Sequence, residues 1–115
     1  MSKSVFDLDG LCDRIAGRLD LVDELIGMLL AQYPQDRERL IDRLQEDDGP
    51  GARDVAHRMK GQMQTLGVNR AAERARQIEY LCRDGRIDVA LATVRELDGE
   101  IRKFEQTINA WYEAK

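Results

Sequence analysis

Three observations predict an all-helical fold, an antiparallel up-and-down four-helix bundle with a short extra helix at its N-terminal end. Apolar residues recur three and four apart through most of the 115 residues, the period of a helix that buries one face. The chain holds two prolines, one Trp, three Tyr and two Phe, a composition that favours helices over strands. Its punctuation falls at three short places, Asp47-Asp48-Gly49-Pro50-Gly51, Leu66-Gly67-Val68-Asn69 and Asp84-Gly85-Arg86, leaving helix-length blocks joined by short loops.

The first block, Leu8 to Gly17, places Leu8, Leu11, Cys12 and Ile15 on one stripe, a helix too short to stand alone and expected to close one end of the bundle. The second runs from about Asp20 to Glu46, with Val22, Leu25, Ile26, Leu29, Leu30, Tyr33, Leu40, Ile41 and Leu44 on a face broad enough for two neighbours. Pro34 lies inside it, where the missing backbone donor and the restriction on Tyr33 predict a kink or short interruption. A third helix spans Ala52 to Leu66 with Val55, Ala56, Met59, Met63 and Leu66 inward, and Gly67 is placed to cap it in a left-handed conformation. Asn69 is the expected cap of the fourth, Arg70 to about Arg83, whose inward residues are Ala71, Ala75, Ile78 and Cys82. The last helix has the most regular pattern: Ile87, Ala90, Val94, Leu97, Ile101, Phe104, Ile108 and Trp111 alternate spacings of three and four, with Asp88 as its expected cap. That seam also suits a second copy of the chain, but the bundle needs the same face for its own core, so a monomer is expected.

A chain of this length supplies one core, so residues 1–115 are read as a single domain. Eighteen basic against 22 acidic side chains give a net charge of -4, which argues against nucleic acid or an anionic membrane as partner. One histidine and two cysteines do not make a tetrahedral zinc site or a di-iron bundle, so no metal is expected. No export signal or membrane-length apolar run stands out, which predicts a cytoplasmic protein with Cys12 and Cys82 reduced and mostly buried.

One residue asks for chemistry. At 100° per residue, His57 points roughly 160° away from the inward Met59 and should face water. Lys60, Gly61 and Gln64 follow it at helical spacing and form one strip. A glycine inside a helix costs about 0.5–1 kcal/mol relative to alanine, so Gly61 suggests that something must come close. From Gly51 to Arg76 there are six basic residues, Arg58 among them, against two acidic ones, Asp54 and Glu73. This segment carries +4 within a chain of -4, and the remainder carries -8. A neutral imidazole is a competent nucleophile near pH 7, and a neighbouring ammonium offsets the charge of an incoming phosphoryl group. A lone surface histidine is nevertheless most often only a solvated side chain, and the helix bearing Glu73 and Glu79 reads by default as a solvated, ion-paired face.

At Ala56-His57-Arg58-Met59-Lys60-Gly61, with Leu66-Gly67 and Ile78-Glu79 beyond, the sequence resembles the histidine-containing phosphotransfer (HPt) domain family. The opening Phe6-Asp7-Leu8-Asp9 is similar to that of bacterial members, so the resemblance covers almost the whole chain. It implies a phosphorelay carrier, not an enzyme with kinase activity of its own. His57 would take a phosphoryl group from a receiver-domain aspartate of a hybrid sensor kinase and pass it to a response regulator. Lys60 would contact the phosphate, Gly61 would admit the receiver, Arg58 would support docking, and Glu79 would lend support where some members have a glutamine near the histidine. The carrier needs no cofactor, and Mg²⁺ belongs to the partner receiver. The chain departs from the family at Gln62-Met63-Gln64-Thr65, where small residues are common, and at Ala71, where leucine is. Gln64, on the face of His57, would either hydrogen-bond a phosphoryl oxygen or narrow the choice of receivers. The rival reading is a module that docks or sequesters receivers with an idle histidine.

Overall fold

The computed structural model describes residues 18–114 and, before them, Phe6, Gly10, Leu11 and Asp13. Four helices follow one another: α1 (Leu19–Gln45), α2 (Gly49–Thr65), α3 (Asn69–Arg83) and α4 (Ile87–Glu113). No strand occurs among the described residues. The expected helix over Leu8 to Gly17, with Cys12, lies mostly outside them. Within it Gly10, Leu11 and Asp13 have helical backbone, Leu11 is buried in the core, and just ahead of it Phe6 sets its ring edge-on to Phe104 at 5.1 Å.

The helices pack side by side as a bundle, each against the next and α4 back against α1. A 27-residue helix is about 40 Å long at 1.5 Å per residue, so α1 and α4 account for the 45 Å long axis. The core runs along it through Val22, Ile26, Leu40, Leu44, Met59, Met63, Ile78, Leu97, Ile101 and Phe104. Cys82 is a free, buried thiol. The seam of α4 is less regular at its end than its spacing suggests. Trp111 is only half-buried and lies against the neighbouring Tyr112 at 5.0 Å between ring centroids.

Several helix ends differ from expectation. The interruption expected at Pro34 does not occur, and α1 runs continuously through it. One backbone donor is lost at an exposed position, while Tyr33 is held by a hydrogen bond from its hydroxyl to Asp98 Oδ1 (2.6 Å), an oxygen that also takes Arg37 Nε at 2.7 Å. Helix α2 begins at Gly49, three residues before the expected Ala52, because Asp48 caps it by accepting from the Gly51 amide at 2.9 Å and Pro50 needs no amide partner in the first turn. A β-carbon on Gly51 would collide with the Asp48 carboxylate. Neither Asn69 nor Asp88 is a cap. Those places are taken by Val68, fully buried, and Arg86, without a side-chain bond. Asp88 instead sits in the first turn of α4, where its charge faces the positive end of the helix dipole.

Gly67 closes α2 as expected, at φ 76°. Its amide donates to Gln64 O (3.1 Å) and that of Val68 to Met63 O (2.9 Å), the paired bonds that satisfy the last carbonyls of a helix. Gly85 repeats the arrangement after α3. Asp47 does so after α1, at φ 58° without the freedom of a glycine. No helix among the described residues is long and apolar enough to cross a membrane.

Candidate functional site

Helix α2 buries Ala52, Val55, Ala56, Met59 and Met63, and that phase turns His57 outward with 64% of its side chain exposed. Arg58 and Gln64 are also exposed. One turn beyond His57, a β-carbon placed on Gly61 would find nothing within 4 Å. His57, Arg58 and Gln64 therefore face outward, with a gap at Gly61.

Lys60 and Glu79 are arranged differently from expectation. Glu79 is not on a solvated face. It is 8% exposed, turned from α3 towards α2, with Oε1 2.9 Å from His57 Nδ1 and Oε2 2.8 Å from Lys60 Nζ. The Lys60 ammonium, expected to meet an incoming group directly, is thereby engaged, and its side chain is 19% exposed. The helical wheel of α2 places His57 and Lys60 near one another, but only the packing of α3 brings a carboxylate between them.

Burial alone would push the Glu79 carboxyl up. The hydrogen bonds from Lys60 and His57, reinforced by their charges, outweigh it and hold the group below its usual range. An ionised carboxylate has no proton to donate, so the short contact to His57 is a bond from Nδ1–H to Oε1. In the neutral ring this leaves Nε2 as the nitrogen with a free lone pair. The result is an exposed imidazole with a fixed tautomer on a helix.

A second feature adjoins the ring. Between α1 and α2 runs an open, mostly apolar groove. Leu25, Met28 and Leu29 line it from α1, and His57, Gly61 and Gln62 from α2. Gln64 is not part of it. Of the residues after Gly61, Gln62 and Thr65 face α1, Met63 enters the core and Gln64 points to solvent. The groove was not legible in the sequence, because periodicity shows which face of a helix is buried but not which neighbour lies beside it. On α3, Arg76 and Arg83 set their guanidinium carbons 5.4 and 4.9 Å from the ring centre of the exposed Tyr80, adding positive charge next to Glu79 in sequence.

The family model for the Hpt domain matches residues 24–107, which span most of α1, the whole of α2 and α3, and most of α4. No curated protein and no solved structure matches the chain.

Proposed function

Because this chain belongs to the Hpt domain family, whose members act in histidine phosphotransfer and bind receiver domains in phosphorelay signalling, we propose that His57 accepts a phosphoryl group from one receiver aspartate and delivers it to another. The observation that carries this reading is the bond between the Glu79 carboxylate and His57 Nδ1. The Nε2 lone pair attacks phosphorus in the aspartyl phosphate of the donor. An N–P bond forms, the P–O bond to the aspartate breaks, and its electrons return to the carboxylate. No proton needs to move. The ring keeps Nδ1–H and becomes cationic, and Glu79 stabilises that charge more in the transition state and product than it does the neutral ring of the free carrier.

Lys60 holds the other oxygen of Glu79 and so acts as a positioning residue for the carboxylate. Gly61 gives the incoming receiver clearance. The groove beside it and Arg58 form the docking surface, with the positive charge of this region complementing a carboxylate-rich receiver site. Gln64, outward on the same face, is placed to bond a phosphoryl oxygen or to restrict which receivers fit. Mg²⁺ is supplied by the receiver. We read the chain as one monomeric, cytoplasmic domain, a phosphocarrier without kinase activity. An up-and-down antiparallel path fits the contacts of Asp23 with Tyr112 and of Tyr33 with Asp98.

Incubation with phosphorylated receivers should place an acid-labile label on the chain, and His57→Gln should abolish it. Label retained by His57→Gln would refute the assignment. Binding of receivers without any label would favour the docking module with an idle histidine.

A further inference from the structure

Peroxide oxidises a methionine at a rate set by how readily it reaches the sulfur. Met59 and Met63 are each 1% exposed in the core, whereas Met28 is 61% exposed, more than any other large apolar side chain among the described residues. Met28 also lines the groove that holds His57 and Gly61. Its neighbours Leu25, Leu29 and Ala31 make that wall apolar, and Gln32, one turn on, already donates its amide to Asp36 at 3.2 Å. A partner that covers the groove therefore takes position 28 out of water against a mainly apolar wall.

We propose that Met28 is a peroxide-sensitive modification site that sets the strength of receiver docking, an inference that rests on the phosphocarrier reading above. The thioether sulfur attacks one oxygen of hydrogen peroxide. An S–O bond forms, the O–O bond breaks, and the departing hydroxide takes the proton of the transferred oxygen and leaves as water. Sulfur loses two electrons and peroxide gains them. The product replaces a flexible apolar contact with a strong dipole. Burying that dipole against the apolar wall of Leu25 and Leu29 weakens docking by about tenfold.

The full chain is treated with graded hydrogen peroxide and mapped by peptide mass spectrometry. Transfer from a receiver charged with acetyl phosphate is timed before and after treatment. Sulfoxide is expected at Met28 ahead of Met59 and Met63, with transfer at limiting chain concentration reduced about tenfold and restored by methionine sulfoxide reductase. Met28→Leu, whatever its own starting rate, is expected to show the same transfer treated and untreated. Oxidation of Met59 or Met63 first, unchanged transfer in the Met28 sulfoxide, or equal peroxide sensitivity in Met28→Leu overturns the proposal. An untreated chain that accepts no phosphoryl group from any receiver overturns the carrier reading itself, and the switch with it, before any oxidant is added.

Discussion

The tautomer of His57 is set by the Glu79 carboxylate, which Lys60 holds from its other oxygen, and not by exposure alone. Its outward direction follows from the phase of α2, which is why Met59 and Met63 in the sequence already imply it, and the open space at Gly61 is implied by the absent side chain. The carboxylate on Nδ1 was not legible in the same way. Glu79 sits among Glu73, Arg74 and Arg76, which reads as a solvated strip, and its burial depends on the angle at which α3 meets α2. Glu79→Gln keeps an oxygen to accept from Nδ1–H but removes the charge, so transfer should slow by about tenfold while receiver binding persists. The same variant tests stability against pH. Because the folded Glu79 lies below its ordinary value of 4.5, its contribution is complete above that value and is lost as pH falls through the folded one. Urea unfolding of both proteins at pH values below 4.5 should show a difference that shrinks as the pH falls. A difference that instead grows as the pH falls below 4.5 would mean that Glu79 is not held ionised by its partners.

At the scale of helices, starts and stops differ in how readily they are read. Gly67 marks a left-handed ending in the sequence and Gly85 a break, but Asp47 fills the same role unannounced, since Asp tolerates that conformation without requiring it. The start of α2 was masked by Gly49-Pro50-Gly51, which looks like a loop until Asp48 is seen to bond the Gly51 amide. Pro34 likewise looks like a break, yet one missing hydrogen bond at an exposed position does not outweigh the burial of Val22, Ile26, Leu40 and Leu44 on either side. Gly61 is the interior glycine next to His57, and its open surroundings make Gly61→Gln informative. Helix propensity should raise stability by about 0.5–1 kcal/mol. Transfer should fall roughly tenfold or more, since the new side chain obstructs only the approaching partner. Chemical denaturation and transfer kinetics on the same sample separate the two effects, and undiminished transfer would remove clearance as the reason for the glycine.

Across the whole molecule, the helical periods made the bundle and most of its core readable, while the polar contacts that join its elements were not. Tyr33, Arg37 and Asp98 tie α1 to α4, and Glu100, 5% exposed, is paired with Arg70 of α3 at 3.1 Å. Such pairs depend on the rotation of two helices about each other, which no single stripe encodes. Burial, then the bond to Asp98, pushes the Tyr33 hydroxyl far above its ordinary range, so it remains a donor at any working pH. Tyr33→Phe should lower stability by about 1 kcal/mol, seen as an earlier urea midpoint at unchanged slope, and leave transfer from receivers intact because Tyr33 turns to Asp98 on α4 and does not line the groove beside His57. The fold thus holds a buried carboxylate against the Nδ1 edge of an exposed imidazole. Heteronuclear NMR of the chain phosphorylated by a receiver tests that claim most directly: phosphorus on Nε2 of His57, with the proton still on Nδ1, is the predicted result, and phosphorus on Nδ1 or on any other residue would contradict it.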